Sequence, residues 1–282
     1  MRARLGVLLL AVLAIVGTVA VPASAATRTA GGTGTTGTRA MWLWSKPAPA
    51  DVVAWAQAHG VGEILAYTQT SPDLAWLRDL RARSAAVGIS LAALGGDPAW
   101  TTQHTAALSW LRAVSATGLF DAVHVDVEPH ALPEWGTDRA RTAQQYVTLL
   151  AKLNAASTLR LEADVAFWYG EVLLPKKGNL ADEVLRAVDA VTVMSYRDTA
   201  TGPGSVTAVG ADFLRRGAAL RKPVRLGVET QPLTECGYCT FAEEGASALD
   251  AALAQIEAAG AASTGFAGVA VHHYDSWRRL AA

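Results

Sequence analysis

The 282 residues include 24 lysines and arginines and 25 acidic residues, which gives a formal charge of −1 at pH 7, and 51% of them are hydrophobic. A chain this close to neutral has no basic field to attract nucleic acid or anionic lipid, so we expect neither as a partner. Without the signal peptide predicted below, about 257 residues remain, close to the roughly 250 of one (β/α)8 barrel.

The first 25 residues have the pattern of a signal peptide. Arg2 and Arg4 precede an apolar run over residues 5–21, and residues 23–25 (Ala-Ser-Ala) match the small-x-small pattern of a signal peptidase site. We predict cleavage after Ala25 and secretion to the extracellular space, and loss of both arginines takes the formal charge to −3. An uncleaved segment that tethers the chain to a membrane is the alternative. No later run of about 18 apolar residues follows, so we expect no membrane contact after cleavage.

The rest of the chain divides into a leader and one domain. Residues 26–39 are rich in threonine, glycine, alanine and arginine without apolar periodicity, which predicts a flexible leader. Residues 40–282 alternate strand patterns with helix patterns. The predicted strands are 41–44, 63–68, 90–94, 120–128, 160–168, 190–196, 224–230 and 265–272. The predicted helices are 51–59, 72–87, 105–116, 137–156, 180–188, 211–220 and 247–259, with a short tail over 277–282 as the eighth.

Eight such alternations close most naturally into a single (β/α)8 TIM barrel, an α/β fold whose active site lies at the carboxyl ends of the strands. The alternative is an open, doubly wound sheet, which normally binds a nucleotide through a glycine fingerprint or a Walker-type lysine. Neither signal follows any predicted strand. We therefore predict the barrel, as a monomer and without a cofactor.

The stretch over residues 120–130 is the most informative in the chain. Strict alternation places three valines on one face of the fourth strand and His124, Asp126 and Glu128 on the other. The valines need a layer of helices behind them, so the ionisable face should look into the barrel. Inward carboxylates are costly unless they are paired or open to a solvated cleft, which indicates a site rather than a core. We expect Pro129 to end the strand directly after Glu128. A surface strand with a solvated acidic face is the alternative.

The carboxyl ends of the strands should bring together side chains that lie far apart in the sequence. The predicted mouth residues are Trp44, Gln69, Glu128, Trp168, Tyr196, Glu229, Gln231, His272, Tyr274 and Trp277. Carboxylates, a phenol and several indoles suit cleavage of a glycosidic bond, because one acid protonates the leaving oxygen while flat rings hold the sugar. We therefore expect an oligo- or polysaccharide as partner. His272 and His273 lack the spacing of a metal-binding pair, so we expect no metal.

Two motifs resemble those of the chitinase-like glycoside hydrolase family 18. Residues 121–128 are similar to its strand-four motif Asp-Gly-x-Asp-x-Asp-x-Glu, with Ala122 in place of the glycine and His124 in place of the middle aspartate. Residues 194–196 (Met-Ser-Tyr) are similar to its strand-six Met-x-Tyr-Asp, with Arg197 in place of the aspartate. Trp277 matches the family's strand-eight tryptophan after a small shift.

This resemblance implies a retaining, substrate-assisted mechanism. Glu128 would protonate the leaving oxygen, Asp126 would orient and stabilise a reacting N-acetyl group, and Tyr196 would support that group. His124 removes a partner of Asp126, and Arg197 puts a cation where the family has an acid. The substrate need not therefore be an N-acetylhexosamine polymer.

A second route uses the same residue types. Glu128 on strand four and Glu229 on strand seven resemble the large clan of barrels in which two glutamates act as acid/base and nucleophile, although Val127 stands in place of the clan's asparagine. Direct displacement needs carboxyl groups about 5 to 5.5 Å apart. Glu128 is the proton donor under either route, and the second group stays open between Asp126 and Glu229.

Two other classes of protein fit the same pattern. A barrel of this kind can lose its acid chemistry and keep the aromatic cleft, which gives a lectin-like carbohydrate-binding protein. An exported barrel whose acids only stabilise its core is the other alternative. The Asp-x-Glu pair favours the enzyme, because a lectin would be free to replace the proton donor.

The only two cysteines are Cys236 and Cys239. In an exported chain, two cysteines this close together predict a short disulfide that stiffens one loop. A redox-active dithiol of the thioredoxin type is the alternative, but that motif opens a helix directly after a strand, and this one lies in a predicted loop.

Overall fold

The computed structural model describes residues 39–175 and 177–282, so the predicted signal peptide and residues 26–38 of the predicted leader lie outside the described residues. Eight parallel strands form a closed barrel in the order β1-β8-β7-β6-β5-β4-β3-β2. The predicted (β/α)8 TIM barrel is therefore confirmed. The strands are β1 (Arg39–Leu43), β2 (Val61–Tyr67), β3 (Ser90–Gly95), β4 (Ala122–Val125), β5 (Arg160–Ala166), β6 (Ala190–Met194), β7 (Val224–Glu229) and β8 (Phe266–His272).

Helices fill most of the connections between strands. They are α1 (Pro49–Ala58), α2 (Leu74–Ala86), α3 (His104–Ala116), α4 (Pro133–Thr137), α5 (Arg139–Ala156), α6 (Leu180–Ala187), α7 (Val206–Leu220), α8 (Gly245–Gly260) and α9 (Tyr274–Trp277). A small antiparallel hairpin, Leu173–Leu174 with Gly178–Asn179, lies between β5 and α6. Within the described part of the chain, no helix is both long enough and apolar enough to cross a membrane.

Three helices begin or end away from the predicted positions because of local capping. α2 begins at Leu74, since Asp73 is its N-cap and accepts a hydrogen bond from the Trp76 amide. α7 begins at Val206, earlier than predicted, because the Ser205 hydroxyl caps it. The tail predicted as a helix over 277–282 is instead the single turn of α9, which ends at Trp277.

The barrel wall is apolar on its outer side. Val123, Val125 and Val127 are fully or almost fully buried in the large core between strands and helices, as the alternation of strand four predicts. Inside the barrel, a smaller cluster surrounds Trp42, whose ring has room because small residues line the neighbouring strands. That inner cluster consists of Ala40, Trp42, Leu65, Ala92, Leu94, Ala122 and Ala270.

Charged side chains fill the interior at the amino ends of the strands. Glu162 pairs with Arg225 at 2.8 Å and with Arg160 at 2.7 Å, while Glu63 pairs with Arg160 at 2.9 Å and also with Arg225. Removing one partner from such a buried network typically costs about 3 to 5 kcal/mol because the other charge is left uncompensated. This network lies at the end of the barrel opposite the carboxyl ends of the strands.

Candidate active site

The backbone after β4 carries the predicted pair of acids beyond the ladder. β4 ends at Val125, three residues before Glu128, which corrects the expectation that Pro129 ends the strand. The Asp126 amide still donates to the Gly95 carbonyl at 3.0 Å. A Cβ on Gly96 would fall 1.8 Å from the Asp126 carbonyl oxygen, so only glycine permits this close approach. Asp126 and Glu128 therefore lie at the mouth, on a segment fixed by the loop after β3.

His124 lies below Asp126 and is completely buried. Its Nε2 is 2.8 Å from Asp164 Oδ1 and its Nδ1 is 3.2 Å from Glu162 Oε2. Burial alone would lower the pKa of His124, but the charges and hydrogen bonds of Asp164 and Glu162 outweigh it and raise the pKa to about 10. The imidazole is therefore a cation at neutral pH, with both nitrogens donating to carboxylates.

Asp126 has the opposite environment. Burial, together with the negative charges of Asp164 and Glu128, raises the pKa of Asp126 well above its usual value, and the His124 charge opposes this only in part. Its buried Oδ1 atom has no hydrogen-bond partner among the described residues. Asp126 therefore holds its proton at a pH where an ordinary aspartate has lost it, and one of its oxygens is free to engage a ligand.

Three phenols surround these acids and share one property: burial, followed by neighbouring charges that include Asp126 and Glu128, raises their pKa. They are Tyr146, Tyr169 and Tyr196. All three stay protonated at neutral pH, so they can donate hydrogen bonds and add no further negative charge to the mouth.

Glu128 is the accessible acid of the group, with 36% of its side chain exposed. Its Oε1 lies 3.8 Å from His130 Nε2, and His130 Nδ1 is 3.1 Å from the Tyr169 hydroxyl. Burial lowers the pKa of His130, against the opposing charge of Glu128. Glu128 thus presents a carboxyl group to the opening, while the groups behind it are held by hydrogen bonds.

Glu229 lies across the mouth at the end of β7 and is only 4% exposed. One of its oxygens accepts from the Thr230 and Gln231 amides at 2.8 and 2.7 Å, and the other is 2.8 Å from His272 Nδ1. His272 Nε2 in turn accepts from the Trp44 indole at 2.9 Å, which assigns the proton of this histidine to Nδ1. Both oxygens of Glu229 are therefore engaged within the protein.

The structure brings most of the other predicted mouth residues to the carboxyl ends of the strands. The Trp44 ring contacts Tyr67 at 5.6 Å, and the Trp168 ring contacts His130 at 5.2 Å. Gln231 Oε1 is 3.2 Å from His273 Nε2. Gln69 lies in an open cleft of about 420 Å³ over the ends of β2 and β3.

Tyr274 and Trp277 are corrections to the prediction. They are 0% and 2% exposed, and the Trp277 ring packs edge-on against Trp55 of α1 and against His59, the residue after that helix, with ring centroids 5.9 and 5.0 Å apart. The single turn of α9 directs both side chains into the wall of the barrel instead of the mouth. A sugar in the cleft therefore has no access to either ring.

Arg197 lies beside the loop after β7. Its guanidinium donates to the Tyr196 carbonyl at 2.6 Å and lies over the rings of Phe167 and Tyr238 at 5.1 and 5.5 Å. No carboxylate of the described residues lies within ion-pair distance of it. The same loop contains the predicted disulfide, which is confirmed between Cys236 and Cys239 with an S–S distance of 2.04 Å.

Two features of the site were not predicted. Asp164 is buried at the end of β5, where it accepts from His124 and from the Trp42 indole at 3.0 Å. Alternation of acids along strand five, Glu162 then Asp164, is the sequence signal that could have placed it inside the barrel. The second feature is Gly96, directly after β3, whose close approach to the Asp126 carbonyl sets the position of Asp126. Within residues 39–175 and 177–282, no group of three or more acidic, histidine or cysteine side chains is arranged to hold a metal ion.

Comparisons with known proteins show that this fold is shared with solved structures. No model of a known protein family matches the sequence, and no curated protein matches it either. Solved structures do match. A chitinase from Chromobacterium violaceum has 14% identity and a TM-score of 0.52, and the match covers 86% of this chain and 96% of that one. The Bacillus megaterium spore cortex-lytic enzyme SleL has 11% identity and a TM-score of 0.54, with 83% and 70% covered.

A third match is catalytic domain 2 of the Ostrinia furnacalis Group II chitinase, as a mutant in complex with a penta-N-acetylchitooctaose, (NAG)5. Its identity is 12% and its TM-score 0.50, with 69% of this chain and 64% of that chain covered. Because the identities are this low, the similarity shows a shared fold. The predicted resemblance to a divergent chitinase-like TIM barrel is confirmed at that level.

Proposed function

We propose that the protein is a secreted, monomeric glycosidase that cleaves glycosidic bonds in a polysaccharide or cell-wall glycan, with Glu128 as the general acid. The observation that carries this proposal is the arrangement of Glu128 and Asp126. One carboxyl group is accessible at the mouth, and beside it a second has a raised pKa and an unpartnered oxygen. Cleavage needs a positioned acid for the leaving oxygen and a second group near the reacting carbon.

Asp126 fits the second role better than Glu229. A nucleophile needs a free oxygen directed at the sugar, and both oxygens of Glu229 are occupied by the Thr230 and Gln231 amides and by His272. Asp126 would instead orient an N-acetyl group, and its Oδ1 atom has no hydrogen-bond partner among the described residues. A protonated carboxyl group can accept from an amide N–H and donate to an amide oxygen, which suits an N-acetyl group. We therefore propose an N-acetylhexosamine glycan as the substrate, a class to which the ligand of the Ostrinia furnacalis chitinase complex belongs.

The test is the release of reducing ends by purified residues 26–282 from chitin, peptidoglycan, β-glucan and galactosaminoglycan fragments. We expect release from N-acetylated glycans only, and a loss of about 10²-fold or more in Glu128→Gln, since that is the usual contribution of a general acid. Glu134→Gln is the matched control, because Glu134 is exposed on the short helix α4 just after Glu128. Equal activity in Glu128→Gln, or no release from any glycan, would contradict the proposal.

A lectin-like barrel is the second candidate function. It is favoured by His124, which stands where the similar motif has an aspartate, and by the aromatic rim of Trp44, Tyr67 and Trp168. Isothermal titration with the same glycan fragments separates the two candidates. Binding of equal strength by the wild type and Glu128→Gln, without release of reducing ends, would replace the enzyme by this binding protein.

A further inference from the structure

Asp164 lies where a partner of Asp126 is needed. The ladder between β4 and β5 pairs His124 with Glu162 and Val125 with Ala163. Asp126 is the first residue after β4 and Asp164 lies within β5, so one more residue of the same pairing would bring them side by side. His124, two residues before Asp126, lies 2.8 Å from Asp164, and the negative charge of Asp164 acts on Asp126. The two carboxyl groups therefore lie near each other inside the barrel mouth.

We propose that Asp164 is the partner carboxyl group of Asp126, held in place by His124 and Trp42. This pair, divided between β5 and the segment after β4, supplies what the missing aspartate at position 124 would have supplied. Asp164 and His124 are positioning residues in this proposal, since they act on the substrate only through Asp126. The proposal rests on the proposed function for its catalytic consequence, but the pair itself is a property of the free protein.

The hydrogen bonds of Asp164 fix its position in the pair. Oδ1 faces His124 Nε2 at 2.8 Å and Oδ2 accepts from Trp42 Nε1 at 3.0 Å. Each oxygen of Asp164 therefore has a donor of its own, which holds the carboxyl group in one orientation. His124 is anchored on its other side by Glu162, which the arginines below hold in place. The cation cannot turn away from Asp164 without breaking that contact.

The groups around Asp126 leave it as the member that carries the proton. On its own segment it faces the positive His124 and the negative Glu128, and from β5 it faces the negative Asp164. The remaining titratable neighbours are phenols: Tyr146 from α5, Tyr169 from the turn after β5 and Tyr196 after β6. Two like charges so close to one carboxyl group disfavour its ionisation. Asp126 therefore keeps its proton to a higher pH than an ordinary aspartate does.

The test uses protein labelled with ¹³C at the aspartate carboxyl carbons. NMR signals are assigned by their loss in Asp126→Asn and in Asp164→Asn. In the wild type we expect the Asp126 signal to titrate at a pH clearly above the usual range of an aspartate. In Asp164→Asn, which keeps the shape of the side chain, the titration midpoint of Asp126 should fall by about one pH unit or more. Asp97→Asn, at an exposed rim aspartate, should leave it unchanged.

A titration midpoint of Asp126 within the usual range of an aspartate in the wild type, or an unchanged midpoint in a folded Asp164→Asn, overturns the proposal. The wild-type measurement decides alone if the variant does not fold. On a cleaved glycan, the alkaline limit of kcat/KM should also move to lower pH in Asp164→Asn by the same interval. If no glycan is cleaved while both NMR results are as expected, the proposed function is wrong and the carboxyl pair is supported. If a glycan is cleaved but the NMR results are not as expected, the proposed function is supported and the carboxyl pair is wrong.

Discussion

Two sides of the barrel mouth contain carboxyl groups in opposite environments. On the side of β7 and β8, Glu229 makes three hydrogen-bonding contacts, with the Thr230 and Gln231 amides and with His272. The Trp44 indole in turn donates to His272. On the side of β4 and β5, Asp126 faces like charges and has an oxygen without a partner among the described residues. Polar groups with all their hydrogen bonds stabilise a fold, whereas groups that lack partners or face like charges are typical of functional sites. Glu229 therefore has the environment of a structural residue, and Asp126 that of a functional one.

The largest effect should come from Asp126→Asn. It removes the titrating group and leaves an amide of nearly equal shape, so we expect kcat on an N-acetylated glycan to fall by about 10²-fold or more. The free energy of unfolding should stay equal or rise, because a carboxyl group crowded by Asp164 and Glu128 is replaced by a neutral one. Kinetics and urea unfolding of the same preparation measure both. A large loss of stability would show that Asp126 belongs to the scaffold.

Glu229→Gln should show the reverse pattern. The new NH₂ group faces donors, either the Thr230 and Gln231 amides or the His272 N–H, so one of these buried contacts is lost. We expect the free energy of unfolding to fall by about 1 to 3 kcal/mol. The loss of kcat in the folded fraction should be clearly smaller than in Asp126→Asn. A greater loss of activity than in Asp126→Asn, without a loss of stability, would restore Glu229 as the nucleophile.

The fold and the inward direction of Asp126 could both be predicted from the sequence. Alternation along strand four depends only on the pleat, so the inward direction of Asp126 was readable. The proposed partner of Asp126 could not be predicted, because Asp164 belongs to β5 and its position depends on the register between β4 and β5. The orientation of Trp277 could not be predicted either. The single helical turn after β8 decides whether this ring faces the mouth or α1. The number of residues after the strand end is known from the sequence, but the direction of the side chain on that turn is not.

The pH dependence of stability should reveal the His124 cation. Its pKa is raised to about 10 in the folded protein, so its contribution is complete below the unfolded value near 6.5 and is lost as the pH rises towards 10. We expect the free energy of unfolding to fall by at most about 1.4 kcal/mol per pH unit across that window. Urea unfolding of the wild type at intervals from pH 6.5 to 10 measures the slope. His124→Gln should lose this component, and an equal slope in that variant would show that other groups cause it.

The smallest effect should come from Trp168, which lies at the rim beside His130. Its ring is partly exposed, so replacement by alanine should remove a surface for a sugar rather than part of the core. We expect KM for the cleaved glycan to rise by about tenfold with little change in kcat, since a ring of this kind contributes on the order of 1 kcal/mol. Trp168→Phe keeps a flat ring and should recover most of the binding. If alanine and phenylalanine raise KM equally, or neither does, the glycan does not stack on this ring and the sugar-binding rim must be sought on the opposite side, at Trp44 and Tyr67.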